Sequence, residues 1–220
     1  GDVRLEIDQM PAANTIDRIV STDNADNQTL QLRGHTILNG EFTLVTQTVT
    51  LNGQTPVALA IPLARADQLD NSGVTTAVAG DVSVYRSVGA TVTAGEVTPT
   101  SQIHVALTNG DQQGKKCAFT TARDQYAFIN AIGGSLLANS GSARVDVKLE
   151  VRNQGGVFQE QARFSLSTQL PSYDKVFETL RIVGPNSDVR LEATTTFNNT
   201  IVSGDIEAYF AKVTALTNGG

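Results

Sequence analysis

The sequence predicts an all-β protein: an antiparallel β-sandwich, jelly-roll-like, with one short helical insertion near 121–138. Three observations predict it. Arg144 to Arg152 alternates charged and aliphatic residues without a break, the period of two that a strand with one buried face requires, because successive side chains point to opposite sides of a sheet. Asn-Gly, the dipeptide best suited to the positive φ angles of a tight hairpin turn, stands at 39, 52 and 109. Hydrophobic residues make up 40% of the chain but aromatics only 5%, with no Trp, so the core is filled by Val, Leu, Ile and Ala, which suits stacked sheets.

In chain order, the N-terminal half offers strands at Val3–Ile7, Leu30–Leu32, Phe42–Leu51, Val57–Ile61, Val82–Val92 and Ile103–Leu107, divided by turn sequences. Val82, Val84, Val88, Ala90 and Val92 are placed on one face of their strand. Leu63, Ala66 and Leu69 recur at helical spacing and predict a short helix over Pro62–Asp70. The main helix is expected from Thr121, whose Thr-x-x-Asp looks like a cap, to Ile132. Tyr126 and Ile129 share a side of it, Gly133-Gly134 terminates it, and Ser135–Ala138 adds a turn.

The strand 144–152 then turns at Asn153-Gln154-Gly155-Gly156 into Val157–Leu166, an antiparallel hairpin. Its register is read from charge. A four-residue loop puts Asp146 opposite Arg163, whereas a two-residue loop puts Lys148 opposite Arg163, and like charges across a pair are unfavourable. The four-residue loop is expected. Val189–Ala193 and Val202–Phe210 close the sequence, with a bulge expected around Tyr209–Ala211, where the alternation slips toward Val213, and a flexible tail from Thr217. A length of 220 residues fits one large sandwich domain over 1–220, the alternative being two β subdomains at 1–110 and 142–220.

One internal repeat stands out: Asp2-Val3-Arg4-Leu5-Glu6 recurs as Asp188-Val189-Arg190-Leu191-Glu192, and Asn14-Thr15-Ile16 matches Asn199-Thr200-Ile201. Either chance or two equivalent strand positions accounts for it. In an assembling protein the first copy can add to a neighbour's sheet edge.

The chemistry-bearing residues form no recognisable site. His35 and His104 are the only histidines and lack a carboxylate at ligand spacing, so both are read as structural or surface residues. Asp23 and Asp26 in Asp-Asn-Ala-Asp-Asn are weak metal candidates; without the Gly and distal Glu of a calcium loop, a solvated turn is the better reading. Glu41, Glu96, Glu160, Glu178 and Asp205 are too dispersed for an acid and base pair, and a sugar groove lacks Trp platforms. No nucleophile-elbow, zinc-protease, thiol-redox or phosphate-loop motif is present. Cys117 is expected to be a buried, inert thiol. Asn27-Gln28-Thr29 and Asn198-Asn199-Thr200 are sequons that matter only on a eukaryotic secretory route.

A net charge of −6, with cations scattered singly apart from Lys115-Lys116, argues against direct nucleic-acid binding. No apolar run approaches the roughly 20 residues of a membrane span. Neither a signal-peptide core nor an acylation pattern follows Gly1, so a soluble chain with any leader already removed is expected.

This profile, Thr-, Val-, Asn- and Gly-rich and closing on Leu191-Glu192-Ala193 through Ser203-Gly204-Asp205-Ile206-Glu207-Ala208-Tyr209, resembles β-sandwich and jelly-roll virion structural proteins, of the coat or head-decoration type of bacterial viruses. The resemblance is compositional and covers the whole chain loosely. It implies a non-enzymatic subunit, without cofactor, metal or small-molecule substrate, located in a virion. The partners it implies are copies of itself and other virion proteins. The absent basic arm shifts the expected role toward an outer shell, cement or tube. Val3, Leu5, Ile7, Ile201, Ile206 and Phe210 are the expected interface residues. A secreted adhesin or cell-surface filament subunit, extracellular, shares these features; a carbohydrate-active sandwich enzyme fits them less well.

Overall fold

The computed structural model describes residues 10–71, 77–115, 117–138, 144–195 and 200–212. The fold is all-β: apart from one 3-10 turn at Thr100–Gln102, every regular element among these residues is a strand, and every strand pair is antiparallel. The chain divides into two compact units, Gly1–Lys116 and Cys117–Gly220.

Unit 1 contains β1 (Ile16–Ser21), β2 (Thr29–Leu38), β3 (Glu41–Thr50), β4 (Val57–Leu63), β5 (Arg65–Asp70), β6 (Val82–Tyr85), the ribbon β7 (Thr91–Thr93) and β8 (Glu96–Thr98), β9 (Ile103–Leu107) and β10 (Gln113–Lys115). Two four-stranded sheets, β4-β1-β6-β9 and β10-β5-β2-β3, sandwich one aliphatic core that includes Ile16, Ile19, Leu30, Leu32, Leu69 and Val105. With the ribbon set aside, β1–β4 and β5–β10 follow one plan: each half places its fourth strand beside its first and sends its second and third to the other sheet.

Unit 2 contains β11 (Ala118–Thr120), β12 (Gln125–Ala138), β13 (Arg144–Asn153), β14 (Gln159–Ser167), β15 (Ser172–Val183), β16 (Ser187–Thr195) and β17 (Thr200–Lys212). Its sheets are β11-β16-β13-β14 and β15-β12-β17, and both line a second core built on Ile129, Ile132, Leu149, Phe164 and Leu166.

Both expected helices are strands, and for one reason. Ile129 and Ile132 are fully buried at a spacing of three because Asn130 is an extra residue, a bulge where the register of β12 against its neighbours shifts. On either side of it, Ala127, Ile129 and then Ile132, Gly134, Leu136 alternate inward as a strand demands. Leu63, Ala66 and Leu69 acquire helical spacing because the chain changes sheets at Ala64 and bulges at Asp67. Irregular strands thus imitate a helical period.

Other expectations are corrected as well. The single strand at 82–92 is broken: β6 stops at Tyr85, the Asp17 carboxylate holds the Ser87 amide and hydroxyl at 2.8 and 2.7 Å, and Val88 is exposed. Of the Asn-Gly pairs at 39, 52 and 109, only Asn39-Gly40 closes a two-residue hairpin, with φ of 54° and 80°; those at 52 and 109 carry the chain between sheets. The bulge expected near Tyr209–Ala211 lies instead on the partner strand at Asn130, opposite Glu207 and Ala208. In the 144–167 hairpin, Lys148 and not Asp146 stands opposite Arg163. The like charges are tolerated because each finds an acid elsewhere. Arg163 pairs with Glu160 at 2.6 Å across a bulge at Gln161, and Lys148 faces Glu192 on β16. Residues 1–9, which include Val3–Ile7 and the first copy of the repeat, lie outside the described residues, as do Asn198 and the tail.

Candidate functional site

Strand crossing brings titratable groups together that the sequence keeps far apart. His35 on β2 is buried and its Nδ1 lies 2.8 Å from the Asp67 carboxylate on β5, a pairing that 32 residues of separation conceals. The Phe42 ring packs edge-on against His35 and beneath the Arg65 guanidinium, 4.8 Å from its centroid. Arg65 in turn donates to the carbonyls of Ala64 and Pro11, at 2.6 and 2.5 Å. The cluster fixes the segment that enters β1 and offers no open face to a substrate. His104 is buried on β9.

Asp26 is engaged as a loop anchor. Its buried carboxylate accepts hydrogen bonds from Ser21 Oγ at 2.5 Å, Ala79 N at 2.9 Å and Gly80 N at 3.0 Å. Burial pushes this carboxyl up, but these hydrogen bonds outweigh it and hold the group below the usual aspartate range. Asp23 spends Oδ1 on the Ala25 amide. Asp23 and Asp26 therefore stabilise a turn, and no group of three or more metal-ligating side chains forms among the described residues.

A cleft of about 610 Å³ opens at one end of unit 2, between Val151–Val157 and Leu180–Gly184. Arg152 and Arg181 are the charged residues of its lining, which holds no carboxylate, His or Cys. General acid and base chemistry therefore has no donor there. Cys117 is half-buried, and burial, helped by the nearby Asp205 carboxylate, pushes its thiol up to about 12, so it stays protonated and unreactive at neutral pH.

The charged stripe of β13 is less wet than its alternation predicts. Asp188, Arg190 and Glu192 on β16 stand opposite Arg152, Glu150 and Lys148, an antiparallel match of opposite charges at every step. Arg190 reaches Glu150 at 2.8 Å, and Arg152 reaches Asp188 at 2.9 Å. The Phe158 ring lies under both guanidinium groups, 4.0 Å from Arg190 and 4.4 Å from Arg152. Asp188, Arg190 and Glu150 are buried. From Lys148 to Arg152 the stripe is thus a part-buried ion ladder, with Arg144 and Asp146 exposed beyond it, and Asp188–Glu192, the second copy of the Asp-Val-Arg-Leu-Glu repeat, is its other half.

Several exposed apolar side chains stand on the other sheet of unit 2. Outward-facing Tyr209, Phe128 and Ile182 align across β17, β12 and β15, and Val176, opposite Ala131, is exposed on the same sheet. β17 has β12 as its one ladder partner among the described residues. Of the expected interface residues, Ile206 is half-buried in the core, Ile201 pairs with Leu137, and Phe210 is 47% exposed, its ring edge-on to Phe119 of β11 at 5.2 Å.

Comparison with known protein families, curated protein sequences and solved structures returned no match. No helix of the described residues is long and apolar enough to cross a membrane. The sequence signalled β17 through its alternation, but the apolar face across three strands came from register, which no single segment carries.

Proposed function

We propose that this protein is a non-enzymatic structural subunit that assembles with copies of itself into a viral coat, outer shell or tube, through sheet edges, loops and the N-terminal strand. The observation that carries this reading is the distribution of apolar surface. Leu137, Val176, Leu180, Ile182, Tyr209 and Phe210 are exposed on one sheet of unit 2, around an edge strand of thirteen residues. Tyr209, Phe128 and Ile182 form an apolar row across the outer face of that sheet, Phe210 is exposed on the inner side of β17, and such side chains on a strand with one ladder partner among the described residues support an interaction surface. Supporting it, Asp26 is engaged by Ser21 and His35 by Asp67, and the lining of the unit 2 cleft holds no carboxylate, His or Cys. The shell environment rests on the compositional resemblance to virion proteins.

Negative-stain microscopy and sedimentation of the purified chain test the reading. Regular particles, sheets or tubes are expected, with mass rising with concentration; a monodisperse monomer up to high concentration contradicts it.

A further inference from the structure

Unit 2 pairs its strands in a nested series: β13 with β14, β12 with β15, β11 with β16. Two cross-pairs stitch the series together, β13 with β16 and β12 with β17. This is the connectivity of an eight-stranded jelly roll, with its two Greek keys, from which one strand is missing. The next member of the series is a strand preceding β11, antiparallel to the outer edge of β17. In the chain the preceding strand is β10, and it is already paired with β5 in unit 1.

β17 is fitted to accept that strand. β14 is spoiled as an edge by its bulge at Gln161, β15 breaks its ladder with β12 over Phe177–Leu180, and β11 has three residues. β17 has thirteen residues, no Pro, and an unbroken run of partners on its inner edge. Its inward face carries Val202, Ile206 and Ala208 into the core, and at its end Phe210 leaves 47% of its surface uncovered beside Phe119.

The sequence also offers an alternating segment outside the described residues, Val3–Ile7. In Asp2-Val-Arg-Leu-Glu-Ile7 the odd positions are aliphatic, as a strand covering the inward side of β17 requires. The repeat of this segment, Asp188–Glu192, already serves as a strand in unit 2. Arg65 grips Pro11 and the Asn14 amide brackets Ile37, so the nine residues before Met10 leave from a fixed point with a reach of roughly 30 Å.

We infer that unit 2 is a jelly roll completed in assembly, with Asp2–Ile7 of a second copy adding as an antiparallel strand to the open edge of β17. This rests on the self-assembly reading above and names the contact that carries it. Main-chain hydrogen bonds set the register, and Leu5 and its aliphatic neighbours cover Phe210.

The test uses the full chain and a V3P/L5P double variant, whose substitutions remove ladder donors from the arm. Both are followed by sedimentation and by hydrogen exchange of β17, with β12 as the control for folding. Assembled wild type is expected to protect β17 along its length. The variant is expected to sediment as monomer, with alternate β17 amides exchanging at least about 100-fold faster and β12 unchanged. Equal assembly and equal β17 protection in the two proteins overturns the inference while leaving self-assembly intact. Monomeric wild type overturns self-assembly and the inference together. Loss of β17 protection without change of mass overturns the second-copy contact in favour of docking within one chain, and loss of mass with β17 unchanged places the arm elsewhere.

Discussion

The two units solve the problem of exposed sheet edges in opposite ways. In unit 1 the gaps between sheets are closed by side chains that imitate a strand. The Gln47 amide donates to the Ile61 carbonyl at 2.8 Å and accepts from the Ile61 amide at 3.0 Å, which joins β3 to β4 where no ladder runs. Asn14 does the same at Ile37. At the opposite side β9 and β10 approach so closely that a Cβ on Gly114 would overlap the Ala106 carbonyl. In unit 2 the polar bonds are concentrated in the ion ladder of one sheet, while β17 of the other sheet has one ladder partner among the described residues and an apolar row, Tyr209, Phe128 and Ile182, crosses the outer face. Large exposed hydrophobics follow the same division: Leu38, Leu44, Ile61 and Val88 in unit 1, against Leu137, Val157, Leu170, Val176, Leu180, Ile182, Tyr209 and Phe210 in unit 2. Unit 1 closes its gaps with its own side chains, whereas β17 of unit 2 has one ladder partner among the described residues.

The strongest way to break that contrast is at the tight seam of unit 1. Gly114→Ala forces backbone apart and is expected to cost about 3 kcal/mol or more, whereas Gly184→Ala in unit 2, where a Cβ meets nothing within 4 Å, stays within about 0.5 kcal/mol. Denaturant unfolding followed by hydrogen exchange in each unit reads both, and equal effects would remove the seam from the account.

Next is the ion ladder. Arg190→Ala leaves Glu150 buried without its guanidinium and is expected to destabilise unit 2 by about 3–5 kcal/mol. The pair Glu150→Leu with Arg190→Met removes both charges and is expected to recover most of that loss, as read from urea midpoints.

A smaller effect belongs to pH. Because the folded Asp26 carboxyl lies below its ordinary value, its contribution is complete above about pH 4 and disappears as pH falls through the lowered folded value. Asp26→Asn is expected to destabilise unit 1 by about 1–3 kcal/mol at pH 7 and to flatten the loss of stability below pH 4, measured as urea midpoints from pH 7 to pH 2. The smallest effect is expected at Glu160, whose pair with Arg163 is exposed: Glu160→Gln leaves the midpoint unchanged.

The same contrast explains what was legible in the sequence. Strands with one regular alternation, such as Arg144–Arg152 and Val202–Phe210, were readable because a period of two survives wherever the ladder is unbroken. Bulges at Asn130 and Asp67 and the change of sheet at Ala64 shifted that period and imitated a helix. The hairpin register is not legible from the charges of two strands, because Lys148 and Arg163 draw their acids from a third strand and from across a bulge. Asp23 and Asp26 are legible as a turn but not as a solvated one: Asp26 is buried, because its partners Ala79 and Gly80 lie more than fifty residues away in sequence. The partners of His35, the Phe158 lid and the apolar row through Phe128 were not, because each depends on which strands become neighbours.

The central claim is that assembly runs through the open edge of unit 2 and not through the closed edges of unit 1. Sedimentation velocity of wild type, Phe210→Lys and Leu44→Lys tests it most directly, since both residues are exposed apolar side chains on edge strands, one in each unit. The account predicts that wild type and Leu44→Lys assemble alike and that Phe210→Lys stays monomeric. Assembly of Phe210→Lys at wild-type concentration, or loss of assembly in Leu44→Lys alone, would contradict it.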